Sequence, residues 1–193
     1  MVVDFLVAAL LSASAAVGAA PVTWQIDPNH SELSFRVRHF VTKVPGTFKT
    51  WEGTIVADPA NLGAGGSVSV TVQTATVDTK HERRDTHLRS PDFFAADSFP
   101  TMTFTSTKVD VVGSAITLTG DLTIRGTTKP VVLTGEYSGT FGPPEPKRQR
   151  IGFSATTKLN RLDYGLRWNR LVEGSNMLGD DVEISITVEA VRQ

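Results

Sequence analysis

Short segments in which apolar and polar residues alternate restrict the fold of this chain more than any other feature. The clearest is Ser67–Thr74, in which Val68, Val70 and Val72 share one face. A period of two residues is typical of a β-strand with one buried face, because successive side chains point to opposite sides. About eight such segments, joined mostly by short turns, predict an antiparallel all-β sandwich or a closed barrel. We favour the barrel, which at this size encloses one small ligand or fills itself with side chains.

The inward positions of these segments form the predicted apolar interior. Candidates for the wall of a ligand cavity are Leu33, Phe35, Val37, Phe48, Val70, Met102, Phe104, Leu118, Leu122, Phe153 and Ile184. For any one of them, simply filling the core of the barrel is an equal alternative. His39 ends the first of these rows. It would contact the head of a ligand or, in the interpretation we favour, be a hydrogen-bonded core histidine.

The period changes between Val77 and Phe104. Thr79 and Glu82 have the spacing of a capping box, and Ser90-Pro91-Asp92 has the pattern of a second helix start. We therefore expect a short helical insert around residues 79–96, lying across one end of the barrel. Five large apolar residues outside the regular rows are candidates for a gate and for ligand contact: Phe93, Phe94 and Phe99 of the insert, with Trp168 and Met177 of a later loop.

Charge and composition exclude several classes of function. The formal net charge is −1, and Asp4 accounts for it, since 19 basic and 19 acidic residues remain from Pro21 onward. This balance offers no electrostatic basis for a nucleic-acid partner or a polybasic membrane patch. The chain has no Cys, which excludes disulfides and a thiolate nucleophile.

The N-terminal residues resemble a secretory signal. Phe5–Ala20 is almost entirely apolar, ends in small residues and is shorter than a membrane-spanning helix requires. The residues before it carry Asp4 and no Lys or Arg, which is unusual for such a signal. We expect residues 1–20 to be a signal peptide and residues 21–193 to be a single domain without a membrane span. The expected location is periplasmic or secreted, and an uncleaved hydrophobic tail is the alternative.

Six sequence motifs, in order and at matching spacing, make the chain similar to one known family. They are IDPNHSELSFRVRHF, Gly46-Thr47-Phe48, DTKHERRDTHLRSPDFF with FPTMTFTS, GDLTIRGTTKPVVL, RIGFSATTKLNRLDYGL and DDVEISITVEA. Over nearly all of Trp24–Ala190 the chain resembles the YceI-like family, the bacterial polyisoprenoid-binding proteins of the periplasm. The resemblance implies an eight-stranded, lipocalin-like antiparallel barrel with a short helical insert. It also implies a non-enzymatic carrier, sometimes dimeric, that holds a quinone tail or a polyprenyl phosphate and has no catalytic residues to transfer.

The polar residues of the insert leave further alternatives. The run His81–Asp85 nearly matches a zinc-protease helix but has Asp85 where the second His is required, so we predict no metal site, although His81, Asp85 and His87 are the residues that could form one. Candidates for contact with a lipid head group are Arg84, Arg89 and Arg161; ion pairing on a solvated face is the favoured alternative for the arginines of the insert.

Two rival functions remain at this point. One is an enzyme that uses His39, Asp85 or His87 on an isoprenoid pyrophosphate. The other is a stress-related or surface protein with a packed barrel, whose helical face binds a partner and exposes an apolar patch near Phe93 and Phe94. The sequence contains no nucleophile elbow, phosphate loop or dinucleotide fingerprint, and we expect no cofactor.

Overall fold

The structure is a computed structural model that describes residues 21–62, 66–172 and 174–193. Eight antiparallel strands form the barrel, and three of them are each broken once. The broken strands are β1 (Val22–Ile26) with β2 (Glu32–His39), β3 (Thr42–Phe48) with β4 (Trp51–Ala57), and β5 (Ser67–Gln73) with β6 (Val77–Asp78). The unbroken strands are β7 (Thr101–Val112), β8 (Ala115–Ile124), β9 (Thr127–Phe141), β10 (Arg150–Asn160) and β13 (Leu178–Arg192). Two short strands, β11 (Leu171–Val172) and β12 (Ser175–Asn176), form a separate hairpin.

The long last strand closes the barrel. One edge of β13 pairs with β10 along its length. Its other edge pairs first with β2 and then, from Ala190 to Arg192, with β1. Since β1 also pairs with β4, the ladder returns to its starting point. The structure therefore confirms the eight-stranded antiparallel barrel and excludes the open sandwich.

A break between β3 and β4 explains why the residues from Thr47 to Ala57 follow no strict alternation. Val44, Gly46 and Phe48 point inward in β3, and the inward row resumes at Trp51 rather than at residue 50. Gly53 pairs with Val70 in regular register, so no bulge lies at this glycine. The extra residue lies instead at Lys49-Thr50, where the strand is interrupted.

Two inward glycines make room for aromatic rings. Gly46 lies opposite Phe35, and a Cβ atom on Gly46 would approach the Phe35 ring to 2.3 Å. A Cβ atom on Gly120 would likewise lie 2.5 Å from the ring of Phe104. No real Cβ atom tolerates such contacts, so each ring requires a glycine on the neighbouring strand to lie along the wall of the barrel.

The helical insert and the loop after β10 lie at the same end of the barrel. We call this end the helix end. It carries α1 (Glu82–Arg89), the β2–β3 turn, the β8–β9 turn and the late loop of residues 161–177, which starts with a 3₁₀ helix at Arg161–Tyr164. A second 3₁₀ helix, Thr74–Thr76, connects β5 to β6. The opposite end carries the segment between β4 and β5, the β7–β8 turn and the loop between β9 and β10.

The second helix predicted to start at Ser90-Pro91-Asp92 does not form, so the insert contains one helix. Its N-cap is His81, whose Nδ1 accepts from the amide of Arg84 at 3.4 Å, so the predicted Thr79–Glu82 capping box is wrong. After Ser90 the chain makes successive turns, because the amides of Phe93 and Ala95 both donate to the Ser90 carbonyl. Ala95 then takes a left-handed φ of 48°, which a helix does not allow. The helix thus spans only 82–89 of the predicted 79–96.

The described helices are all too short or too polar to cross a membrane. The predicted signal peptide, residues 1–20, lies outside the described residues.

Candidate functional site: an apolar cavity with a cationic end

The barrel encloses a cavity of about 810 Å³. Side chains from every strand of the barrel line it, together with residues of α1 and of the late loop. Most of the lining is aliphatic or aromatic, and it extends from Leu62 near the opposite end to Trp168 at the helix end. A cavity of this size and character is typical of a site for one small, largely apolar molecule.

Nearly all residues predicted to contact a ligand lie on this cavity. The members of the lining are Leu33, Phe35, Val37, His39, Phe48, Val70, Phe93, Phe94, Met102, Phe104, Leu118, Leu122, Phe153, Trp168, Met177 and Ile184. Phe99, which was also predicted to contact a ligand, does not line the cavity. Its ring lies against Gly126 in the β8–β9 turn, and its carbonyl accepts from Thr74 Oγ1 at 2.7 Å, because the chain has already turned toward β7. Contact between the lining residues and a ligand stays a prediction.

An aromatic cluster joins the insert to the late loop at the helix end. The rings of Phe93 and Trp168 have centroids 5.4 Å apart, and His87 meets both edge-on at 5.0 and 4.8 Å. Phe93 is buried, with only 6% of its surface exposed. Phe94 reaches farther in and packs edge-on against Phe48 of the barrel at 5.6 Å. These contacts, favourable for aromatic pairs at such distances, form a cover over one end of the cavity.

The arginine and histidine side chains of the lining are all at the helix end. They are His39, His81, Arg83, Arg84, His87 and Arg161, and the lining contains no Asp or Glu among the described residues. Arg83 is exposed and makes no ion pair with a described carboxylate. The cavity therefore offers hydrogen-bond donors and positive charge at one end and apolar side chains along the rest of its length.

Comparison with known proteins identifies the family. A model of the YceI-like domain matches residues 24–190. The chain belongs to the YceI family. It is 37% identical to Protein YceI of Shigella flexneri over 187 residues, covering 95% of this chain and 93% of the relative. The crystal structure of the Campylobacter jejuni YceI protein superposes with a TM-score of 0.69 at 30% identity, covering 98% of this chain and 99% of that one.

A solved structure with lower sequence identity shows the same fold. This protein is described as a polyisoprenoid binding domain from Saccharophagus degradans. It superposes with a TM-score of 0.66 over 89% of this chain and 99% of its own, at 15% identity. The barrel fold is therefore shared where little sequence identity remains.

Arg161 of this YceI-family barrel has a different environment from the one predicted for a head-group contact. Its side chain is buried, and its guanidinium donates to the carbonyls of Gly179 and Trp168 at 2.9 Å and to the carbonyl of Leu166. Nη2 also donates to Asp180 Oδ1 at 3.2 Å. Burial lowers the pKa of the Arg161 guanidinium, and the nearby Asp180 carboxylate opposes that shift. Arg161 lines the cavity, but its donors hold the late loop in place.

Arg84 and Asp85 both hold the start of α1. Arg84 donates from Nε to Thr79 Oγ1 at 2.6 Å and from Nη2 to the Thr79 carbonyl at 2.8 Å. The buried Asp85 accepts from the amide and the hydroxyl of the same Thr79. Arg84 Nη1 forms no hydrogen bond with any described residue and remains able to face a ligand.

Arg89 lies outside the lining, contrary to the environment expected of a head-group contact. Its Nη2 donates to Glu82 Oε1 at 2.8 Å and to Thr86 Oγ1 at 3.1 Å. The physical reason is its position at the last turn of α1, where it reaches back along the solvent-facing side of the helix. The predicted alternative, ion pairing on a solvated face, describes Arg89.

Arg125 is a residue of the site that sequence reasoning missed. Its Nη1 donates to the carbonyls of Phe93 and Gly165, both at 3.0 Å, so one guanidinium ties the insert to the late loop. In the sequence, Arg125-Gly126 has only the pattern of a tight turn between β8 and β9. No local signal could have shown more, because the two partners are 32 and 40 residues away in the chain.

The potential ligand atoms of His81, Asp85 and His87 do not lie close enough together to bind one metal ion. Asp85 is engaged with Thr79, and His87 Nε2 contacts Asp92 Oδ2 at 2.8 Å. Within residues 21–62, 66–172 and 174–193, the one group whose three potential ligand atoms lie within 4.8 Å of each other is Asp27, His30 and Glu189, away from the cavity. Glu189 there already pairs with the Arg150 guanidinium at 2.8 Å, which disfavours a second cation.

Proposed function

We propose that this protein is an exported, non-enzymatic carrier that holds one long isoprenoid lipid inside its barrel. The observation that carries the proposal is the apolar cavity of about 810 Å³ with its basic residues at one end. Burial of an alkyl chain stabilises a complex by about 0.8 kcal/mol per CH₂, so a dry, continuous cavity suffices to retain a polyprenyl tail. The description of the Saccharophagus barrel as a polyisoprenoid binding domain supports the same class of ligand.

The lipid would lie with its head group at the helix end. Arg83 and the free Nη1 of Arg84 are the donors available to it, whereas Arg161 is already bonded and Arg89 lies elsewhere. A guanidinium donates strong hydrogen bonds to phosphate oxygens and weaker ones to a quinone carbonyl. Since no described carboxylate lines the cavity, an anionic head such as that of a polyprenyl phosphate fits better than a neutral quinone.

Both rival functions have less support from the geometry. The surface-protein alternative requires a packed barrel, which is inconsistent with the cavity volume. It also requires an exposed apolar patch near Phe93, but Phe93 is buried. An enzyme acting on a pyrophosphate would use His39, Asp85 or His87. Asp85 is occupied by Thr79 and is absent from the lining. His87 lines the cavity, but its Nε2 is engaged by the exposed Asp92 at 2.8 Å.

Native mass spectrometry of the protein purified from its producing cells tests the proposal. We expect a stoichiometric adduct that, after solvent extraction, shows an isoprenoid fragmentation series. The same spectrum gives the mass of the mature chain, which we expect to lack residues 1–20 or a few fewer. A clean apo mass, together with no uptake of added polyprenol, polyprenyl phosphate or quinone, would refute the carrier.

The position of the head group is tested by Arg83→Gln, with Arg36→Gln on the outer face of β2 as the matched control. We expect Arg83→Gln to weaken binding of polyprenyl phosphate roughly tenfold, since a hydrogen bond to a charged group contributes about 1.5–3 kcal/mol. Binding of the uncharged polyprenol should not change. Equal losses for phosphate and polyprenol would remove Arg83 from the head-group site without affecting the carrier proposal.

A further inference from the structure

Three large apolar side chains are exposed at the helix end. Val41, at the tip of the β2–β3 turn, is 96% exposed, and its neighbour Phe40 is 41% exposed. Leu171, in the β11–β12 hairpin of the late loop, is 71% exposed. Single exposed apolar residues are common on protein surfaces, but a group of them at one end indicates an interaction surface.

Backbone hydrogen bonds hold these side chains in one rim. The amide of Phe40 donates to the carbonyl of Met177 at 2.9 Å, and the amide of Met177 donates to the carbonyl of Arg170 at 2.9 Å. The β2–β3 turn is therefore bonded directly to the strand pair that carries Leu171. We call Phe40, Val41 and Leu171 the apolar rim. Met177, which connects its two parts, lines the cavity, so the rim lies beside the cavity.

The backbone of the β2–β3 turn does not require a phenylalanine at position 40. Its φ of 50° is left-handed, a conformation that favours Gly or Asn and is uncommon for a bulky residue. Its ring contacts His39 edge-on at 4.8 Å but stays partly exposed. An aromatic side chain in a strained turn, with much of its surface in solvent, is more easily explained by a contact outside the chain.

Three exposed arginines lie within four residues of the rim along the chain. Arg38, Arg167 and Arg170 are all exposed, and none forms an ion pair with a carboxylate in the described part of the chain. Arg38 bonds only to the carbonyl of Phe40, at 3.1 Å.

The opposite end of the barrel provides an internal comparison. It also exposes apolar residues, Val112 and Phe141, at 80% each. Three of its cations, however, are neutralised: Lys108, Arg148 and Arg150 pair with Asp110, Glu145 and Glu189 at 2.7, 2.8 and 2.8 Å. The exposed Lys147 contacts the side-chain amide of Gln193 and no described carboxylate. Among the described residues, the apolar rim therefore has three exposed arginines without an ion pair close to it in the chain, and the opposite end has one exposed lysine without one.

We propose that the helix end docks on a lipid bilayer that contains anionic lipids. Phe40, Val41 and Leu171 enter the interface, and Arg38, Arg167 and Arg170 meet the negatively charged head groups. Docking in this orientation places the basic end of the cavity against the membrane, where a lipid ligand would enter or leave. The docking itself requires no cargo, so it can hold or fail independently of the carrier proposal.

The absence of Cys allows a site-specific test. Val41→Cys and, as the matched control, Val112→Cys are each labelled with an environment-sensitive fluorophore. The full chain is mixed with vesicles of phosphatidylethanolamine and phosphatidylglycerol, or of phosphatidylcholine alone, without isoprenoid lipid. We expect a blue shift only for the label at position 41, only with phosphatidylglycerol, and smaller at high salt. No shift at position 41, or equal shifts at both positions, would overturn the proposal.

Co-sedimentation of unlabelled variants with the same vesicles provides the second measurement. Val41→Asp should lower the membrane partition constant by roughly tenfold or more, whereas Val112→Asp should leave it unchanged. Arg38→Gln and Arg170→Gln should each lower it roughly fivefold. If the arginine variants abolish binding and Val41→Asp has no effect, the apolar rim does not insert and the proposal is wrong. Retention of isoprenoid lipid, measured in the same variants, should not change.

Discussion

Arg161 donates a hydrogen bond to the carbonyl of Trp168 at 2.9 Å, and this contact links the 3₁₀ helix after β10 to the aromatic cover of the cavity. The same guanidinium bonds Leu166, Gly179 and Asp180. The late loop, which has no regular secondary structure between Gly165 and Arg170, is thus organised around one buried cation. The stability of the cover should depend on that side chain more than on any surface ion pair.

Arg161→Met should lower the free energy of unfolding by about 2–4 kcal/mol, because several buried carbonyls lose their donor together. Urea denaturation followed by tryptophan fluorescence measures the change. Arg89→Met is the control, and removal of its exposed ion pair with Glu82 should cost less than about 1 kcal/mol. Equal effects of the two substitutions would show that the late loop does not depend on Arg161.

Leu118→Trp should reduce lipid binding by narrowing the cavity. Leu118 lines the cavity on β8 opposite Leu133, and overpacking an occupied site costs about 1–3 kcal/mol, which corresponds to a loss of roughly tenfold in affinity. The matched control is Val132→Trp, one residue away from Leu133 on the half-exposed outer face of β9. Titration of the delipidated variants with a fluorescent polyprenol compares them. Unchanged affinity for Leu118→Trp would mean that the lipid does not reach this part of the wall.

Trp168→Ala should speed the release of bound lipid. The indole contacts Phe93 and His87 across the junction between insert and late loop, and each aromatic contact contributes about 0.5–1.5 kcal/mol. Losing both should raise the rate of transfer of a labelled lipid to acceptor vesicles by roughly tenfold. Phe141→Ala, at the opposite end, should not alter the rate. If it accelerates release as much as Trp168→Ala does, the lipid does not leave through the aromatic cover.

His30 should make stability depend on pH. The Asp27 carboxylate, 2.8 Å from Nδ1, raises the pKa of His30 above its usual 6.5, with a smaller contribution from Glu189. A raised pKa means that protonated His30 stabilises the folded state; this stabilisation is complete below pH 6.5 and is lost as the pH rises through the folded-state pKa. The urea midpoint of His30→Gln should therefore lie below that of the wild type at pH 5.5 and approach it at pH 9. A difference that is the same at both pH values would contradict this assignment.

The alternation of residues was sufficient to predict most of the wall of the cavity. In a strand the side-chain period is two, so the inward set of Leu33, Phe35 and Val37 follows from the sequence once one member is known to be buried. The same argument correctly predicted Val70, Phe104 and Phe153, and the motifs correctly predicted the family. Where alternation failed, at Lys49-Thr50, a break of the strand was the cause, and a local pattern cannot distinguish such a break from a bulge.

Tertiary structure alone decided the organisation of the helix end. The sequence predicted an insert with an aromatic cover, but not that Arg125 would bond Phe93 and Gly165, nor that Arg161 would be buried in the late loop. It also could not show that Val41 would lie next to the strand pair of Leu171. The physical reason is that strand periodicity is set by the local backbone, whereas a guanidinium takes whichever carbonyls closure of the barrel brings within reach.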